Sequence, residues 1–465
     1  MFLTWRHLES CADYSNNPPA STRQQPFATR FNRCRPLSTE SATADGVSRS
    51  RAWAAFVLGT LYFAYAFAQR VAPSVMSGEL MRDFAVGGAA LGSLSAFYFY
   101  TYAGIQLPVG VLIDRFGPRK LLSAALVLCA FASLGFAYSD SVLAASLNRG
   151  LIGGTVAFGF VGTLTIATYW FPPARFALLS GILLMVGMLG AMMGQAPLRV
   201  LVESIGWRDA MLVLGITGAV LGVLLYLIVP NRPKQHAPHD VVKPHPMAGV
   251  KSVVINPQSW MCAAIGFGLT GTLLAFSSLW AVPWLSTVRG FTVPQAAGIA
   301  SLVFLGWAVG SPLLGWMSDH IGRRKPIIFA GVALSLLTLC VIVFSEISDA
   351  TALSVLFFLN GVGSCAMVIC FGAVRELNRR EYSATALGLA NMFVVGSGAV
   401  LQPLIGWLLD LNWGGEMLEG ARIYDAEAYA IAFVTLIGAN LLALVCGFGL
   451  RETYCRPLEE RGGAV

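Results

Sequence analysis

Two arginines sit where charge is costly. Arg70 lies in the apolar run 52–76 and Arg149 in the apolar run 141–169. A full charge inside such a run costs at least about 2.5–3.5 kcal/mol on insertion scales, and normally faces a water-filled cavity or pairs with an acid. No Asp or Glu sits well inside any apolar run. Asp114 and Asp319 fall at one set of ends; Glu79, Asp83, Asp140, Glu203, Glu346, Asp349 and Asp410 fall near the other. Guanidiniums without an acid of their own make a cavity positive. The chemistry they suit is bidentate pairing with a carboxylate or phosphate carried by a ligand. Structural readings stand beside this one. Arg70, eighteen residues into its run and three before Pro73, is placed to snorkel to the interface. Arg149 lies eight or nine residues into its run, roughly 12 Å deep at 1.5 Å per residue. Backbone carbonyls or a boundary acid such as Glu79 would satisfy it without a ligand.

Polar neighbours extend the candidate site. Tyr62, Tyr65 and Gln69 follow i, i+3, i+7 spacing and share a helix face, from which Arg70 is turned by about 100°. Asn148 precedes Arg149, and Ser277, Ser278, Trp280, Asn360 and Ser364 are polar choices in later runs. The ligand set read from the sequence is Arg149, Arg70, Asn148, Tyr65, Gln69, Trp280 and Asn360. Each of the uncharged members also suits a helix–helix hydrogen bond. Tyr98, Tyr100 and Tyr102 change faces, so at least one must face lipid or a neighbouring helix. No catalytic set, metal-ligating cluster or cofactor fingerprint is legible. The nine cysteines form no C-x-x-C pair, and the five histidines lie outside the apolar runs. Neither G-x-x-x-x-G-K-[ST] nor a strand-borne G-x-G-x-x-G occurs, which argues against ATP-driven work.

These residues need elements long enough to hold them in lipid. Of 465 residues, 56% are apolar and 12% charged, with mean hydropathy +0.67, against roughly 25% charged in soluble domains. That balance excludes an ordinary soluble enzyme and a disordered chain. Twelve apolar spans of about 20 residues, the length of a membrane-crossing helix, fall at 52–76, 89–112, 120–138, 141–169, 176–198 and 207–230. They resume at 258–284, 293–316, 325–345, 350–374, 384–409 and 427–450. Lipid demands that backbone polar groups be satisfied within each segment, hence helices. The expected fold is all-α and polytopic, with twelve transmembrane helices in two six-helix bundles (52–230 and 258–450). The bundles are joined by a Pro-, Lys- and His-rich linker at 231–257 and followed by a tail at 451–465.

Residues 1–51 stand apart as a polar N-terminal extension. It reads as a disordered tail, a mis-assigned start or an Arg- and Ser-rich transit peptide, the last weakened by four acids. With both termini cytoplasmic, that side carries 24 Lys and Arg, or 17 without the extension. The other carries five: Arg82, Arg199, Arg208, Arg289 and Arg422. This is the positive-inside pattern, and it accounts for the net charge of +7 without a nucleic-acid partner. The expected location is the plasma (inner) membrane, or an organelle membrane if the extension is a transit peptide.

The halves repeat. GVLIDRFGPRK at 110–120 matches GWMSDHIGRRK at 315–325, and Gly181 and Gln195 match Gly388 and Gln402. With twelve spans and this doubled loop, residues 52–450 resemble the major facilitator superfamily, whose plan is two repeated six-helix halves. The resemblance implies a carrier working by alternating access, monomeric in the bilayer. It assigns gating roles to Gly110, Asp114, Arg115, Gly117 and Arg119, and to Asp319, Gly322 and Arg323. His320 stands where the family has arginine, which implies a weaker second gate. Asn148-Arg149-Gly150 matches a family arginine early in the fourth span. The Gly-Pro-x-x-Gly-Gly run of proton-driven drug exporters is replaced by GMLGAMMGQAP, whose Gly187, Gly190 and Gly194 offer a smooth packing face. The Asn-Gly-Gly-rich fifth span of nitrate carriers is also missing.

The expected cargo is a small organic anion or zwitterion, such as an amino acid, short peptide or carboxylate. The alternative is a proton-coupled drug or cation exporter of the same superfamily. An intramembrane enzyme lacks its acid and histidine set, and a transporter-like receptor lacks a sizeable signalling tail. With no titratable acid or histidine inside a span, coupling would run through the cargo's own charge, or the protein would be a facilitator.

Overall fold

The computed structural model describes residues 48–172, 175–230, 246–379, 382–418 and 420–456. The expected N-terminal extension lies almost wholly outside the described residues, as do the first part of the linker and the end of the tail. Among the described residues the chain is helical throughout, save one two-residue hairpin.

The first half comprises α1 (Arg49–Val75), α2 (Ser77–Asp83), α3 (Gly88–Phe116), α4 (Pro118–Ala137), α5 (Val142–Val156), α6 (Phe158–Trp170), α7 (Phe176–Met193) and α8 (Ala196–Ile228). The local sequence sets the starts. Ser48 accepts from the Arg51 N–H and Ser141 from the Ala144 N–H, each satisfying an orphan donor of a first turn. α5 and α6 are one apolar run interrupted at Ala157, and α8 turns sharply at Gly206 (φ 84, ψ 160).

In the second half, α9 (Pro246–Ile255) occupies much of the stretch read as linker. It is followed by α10 (Pro257–Gly271), a π-helical segment Thr272–Trp280, α11 (Ala281–Val288), α12 (Val293–Ile321), α13 (Lys325–Phe344), α14 (Ala350–Ser364), α15 (Met367–Glu376) and α16 (Ser383–Leu411). The hairpin of β1 (Met417–Leu418) and β2 (Ala421–Arg422) leads into α17 (Ala426–Gly449). Thr292 and Gln295 form a capping box on α12, and Asp349 and Asp425 cap α14 and α17.

Among the described residues, ten stretches are long and apolar enough to cross a membrane. The fifth and sixth expected spans share one of these, Leu178–Ile228, and α3 falls outside the ten. The protein is mostly helical and polytopic. Large apolar side chains such as Phe131, Leu178 and Phe448 face outward at more than 60% exposure, the surface an oily solvent requires.

Packing joins α1 to α7, α3 to α5, α4 to α8 and α12 to α14. Across the halves it joins α3 to α16, α7 to α12 and α1 to the π-helical segment. The Gly187–Gly194 face does what its spacing suggested. Gly190 has no room for a Cβ against the Ala64 carbonyl, and Gly187 and Gly194 press on Phe63 and Ala68 of α1. α2 is tied to the α8 turn by Asp83, which accepts from Trp207 Nε1 (2.9 Å) and from Arg208. Partial burial pushes the Asp83 carboxyl up, but these donors outweigh it and leave its pKa below the ordinary value.

Candidate functional site

Arg149 is 1% exposed. Its Nη1 donates to the Gln69 carbonyl (2.7 Å) and its Nη2 to the Arg70 carbonyl (3.2 Å), so α5 grips α1 at the very peptide that carries the other arginine. Nε has no partner. The Tyr98 ring of α3 lies 5.0 Å from its guanidinium carbon. Arg70, 9% exposed, is ringed by Phe67 at 4.1 Å, Tyr102 at 5.3 Å, Tyr98 at 5.7 Å and Phe99 at 6.0 Å. Its Nε donates to the Tyr98 hydroxyl (3.4 Å), which itself donates to the Ala66 carbonyl (3.2 Å). Among the described residues, neither guanidinium meets a carboxylate.

Carbonyl dipoles and aromatic faces lower the cost of these cations without cancelling their charge. The depth of Arg149 follows from its place in α5. Arg70 is buried, its guanidinium held among these rings.

The other sequence-derived residues divide between this cluster and sites elsewhere. Gln69 Nε2 donates to the Tyr65 hydroxyl (2.7 Å) and to Ser133 Oγ (2.9 Å), while Tyr65 lies 3.7 Å from Cys129 Sγ. This face of α1 therefore looks into α4, and it joins Arg149 only through the Gln69 backbone. Gln69 Oε1 is buried without a partner. Asn148 packs its side chain against Gly135 of α4 and bonds the Ala144 carbonyl, turned away from Arg149. Asn360 donates to the Ser335 carbonyl and Thr338 Oγ1 of α13. Trp280 Nε1 donates to the Gln402 carbonyl (3.1 Å). Asn360 belongs to packing within the second half, Trp280 lies between α16 and the start of α3 against Gly406 and Gly88, and the structure does not bring either to the arginines.

Of the tyrosine trio, Tyr98 and Tyr102 are buried and stacked (6.0 Å), while Tyr100 is 49% exposed. Tyr98 is the residue that sequence spacing missed. It touches both guanidiniums, and its only sequence signal was that trio.

The repeated glutamines converge on the π-helical segment. Gln195 Nε2, from the first half, donates to the Ser277 carbonyl (3.0 Å), and Gln402 Nε2 donates to the Leu274 carbonyl (2.6 Å). A π-helical segment offers carbonyls that an α-helix would consume, and such segments are frequent at functional sites.

At the doubled loops, Gly117 takes φ 80, ψ 153 and Gly322 takes φ 69, ψ 24. Arg119 Nε donates to the Tyr226 carbonyl (2.7 Å), and Arg115 lies over Phe116. In the second loop Arg324 bridges Asp319 (2.7 Å) and Glu376 (2.9 Å), while Arg323 faces the Tyr454 ring. Gly110 and Asp114 lie outside the residues whose surroundings are described. No group of three or more metal-ligating side chains gathers among the described residues.

A family model described as Major Facilitator Superfamily matches residues 58–301 and 275–461, one match over each half. The chain belongs to the major facilitator superfamily. Two curated superfamily relatives illustrate its neighbourhood. A probable sulfoacetate transporter of Cupriavidus necator is 24% identical over 394 residues, covering 79% of this chain and 90% of the relative. A gentisate transporter of Corynebacterium glutamicum is 25% identical over 422 residues, covering 86% and 91%. Among solved structures, a bacterial homologue of the human lysosomal transporter Spinster, inward-facing and unoccupied, superimposes with TM-score 0.71 at 17% identity. It covers 88% of this chain and 97% of that one. At that identity the likeness is one of superfamily fold.

Proposed function

We propose that this protein is a transmembrane carrier, not an enzyme, that moves a small organic anion by alternating access. The observation that carries the reading is Arg149: a fully buried guanidinium, pinned by carbonyls, with no acid beside it among the described residues. Carbonyls fix its direction and leave its charge to be met by cargo. Arg70, held beside it by the Gln69–Arg70 backbone, supplies the second cation. Relatives named for sulfoacetate and gentisate, both anions, support the same class. A drug or cation exporter is disfavoured, since both buried charges have the wrong sign.

In this reading the termini are cytoplasmic and the loops around Gly117 and Gly322 form the cytoplasmic gate. Asp114 and Asp319, with Arg115, Arg119 and Arg323, are the charged members of that gate. The Asp410 end then faces outward. The two halves rock about the arginines.

The test is a thermal-shift screen of the purified protein against sulfoacetate, gentisate, other carboxylates and amino acids, repeated with Arg149→Ala. Hits are expected to be anions, and their stabilisation is expected to vanish in the variant. An anion that stabilises parent and variant alike would remove Arg149 from the site.

A further inference from the structure

The two halves are fastened to each other by a helix cap that crosses between them. α3 begins at Gly88 after Gly87, a residue with no side chain to cap it. Its first N–H groups are orphans, and they are met from the other half. Asp410, near the end of α16, accepts from the Gly88 N–H (3.0 Å) and the Ala89 N–H (2.8 Å). The Tyr424 hydroxyl donates to the same carboxylate (2.6 Å) while accepting from the Gly88 N–H (2.6 Å), and Arg422 Nη1 donates at 3.1 Å. A carboxylate at a helix N-terminus gains from both the donors and the dipole.

Below the cap the backbones run together. A Cβ on Gly406 would overlap the Gly88 carbonyl oxygen and one on Gly88 would lie 3.0 Å from the Gly406 carbonyl oxygen, one at Gly92 would lie 2.5 Å from the Gln402 carbonyl oxygen, and Gly398 abuts the Phe99 ring. At the same boundary the halves part around a cavity of about 250 Å³ lined by Glu79, Arg199, Arg422, Tyr424 and Tyr429. Ten and fourteen residues further along the same helix, Tyr98 and Tyr102 stand against the arginines.

We propose that Asp410 is the latch of the outer gate, and that α3 is the lever linking this latch to the arginine site. The assignment rests on the alternating-access reading. When the outer ends separate, Asp410 leaves the α3 N-terminus and the glycine seam opens. Cargo that shifts Tyr98 shifts the rod whose end the latch holds. Arg422 and Tyr424 aim the carboxylate and keep it from water until then.

The latch is tested without any ligand. Ser95 lies on the seam face of α3 (88, 92, 95 and 99 share one side) and is 2% exposed. In intact cells, Ser95→Cys is expected to react slowly with a membrane-impermeant maleimide, measured over the signal of the parent. Adding Asp410→Asn is expected to raise that rate at least tenfold, because the outer gate then spends more time open. Tyr424→Phe, which removes one donor and keeps the ring, is expected to raise it by a smaller factor. Equal rates in all three would overturn the latch and leave the carrier reading to the anion screen. If Asp410→Asn also bares Cys129, buried inside the first half, the protein has loosened throughout and Tyr424→Phe alone decides. A rise there with Cys129 still protected supports the latch, and no rise overturns it. Loss of anion stabilisation in Arg149→Ala, with labelling unchanged, belongs to the site and not to the gate.

Discussion

At the scale of single residues, the site turns on which atoms a buried cation has left over. Arg149 spends two N–H groups on carbonyls and keeps Nε unpartnered, so it is both anchored and short of an acceptor. Arg70 is held by rings and one hydroxyl, a softer grip. Tyr98 serves both, which makes its hydroxyl the more informative target. In Tyr98→Phe the bond to the Ala66 carbonyl disappears, a loss of about 0.5–1.5 kcal/mol, and Arg70 Nε loses its acceptor. Anion uptake into vesicles is expected to show a KM raised several-fold, with the melting midpoint changed by only a few degrees. An unchanged KM would mean that Arg70 does not depend on Tyr98 for its aim. The arginines were legible in the sequence because a charge in an apolar run is conspicuous by cost alone. The directions of Tyr65, Gln69, Asn148 and Asn360 were not. Helical spacing tells which residues share a face, and it is silent on whether that face looks into a cavity or into the next helix.

At the scale of elements, backbone geometry separates two loops that the sequence presents as equivalent. Gly117 and Gly322 hold corresponding places in the doubled motif, and no atom of the described residues lies within 4 Å of a Cβ at either. Any penalty for a side chain is therefore one of backbone conformation. Gly117, at φ 80, ψ 153, sits in a region that is essentially closed to other residues, with a cost of about 1–3 kcal/mol. Gly322, at φ 69, ψ 24, is left-handed helical, where asparagine is tolerated. Gly117→Asn is expected to lower the melting midpoint of the detergent-solubilised protein clearly more than Gly322→Asn does. Equal losses would mean that the two turns are alike. The motif showed that both turns need a special residue; only the dihedrals show that they need different ones. The π-helical segment Thr272–Trp280 lay further out of reach. TLLAFSSLW contains neither Gly nor Pro, so no local breaker marks it. What distinguishes it is two glutamine side chains bonded to its carbonyls, one 82 and the other 128 residues away.

For the whole molecule, the two kinds of charge in this chain do different work, and one experiment can separate them. Lys and Arg at span ends set which way the chain lies; Arg70 and Arg149, inside spans, do not count toward that balance. The order of the halves and their repeat were readable from loop motifs and apolar lengths. The contact between Asp410 and Gly88 was not, because partners 322 residues apart leave no periodic trace. Orientation nonetheless decides what that contact means, since a joint closed at the Asp410 end is an outer gate only if that end faces outward. Cys455, partly exposed beyond α17 and near the Ser318 carbonyl, marks one end of the bundle. Asp140, in the exposed turn between α4 and α5, marks the other. With 17 basic residues against five, an impermeant maleimide is expected to label Asp140→Cys in intact cells and Cys455 only in inverted vesicles. The reverse pattern would turn the molecule over. The Asp410 cap would then hold the cytoplasmic side shut, and the loops at Gly117 and Gly322 would open to the outside. The proposed arginine site would keep its chemistry either way, because its charge lies between the ends and is indifferent to which of them is inside.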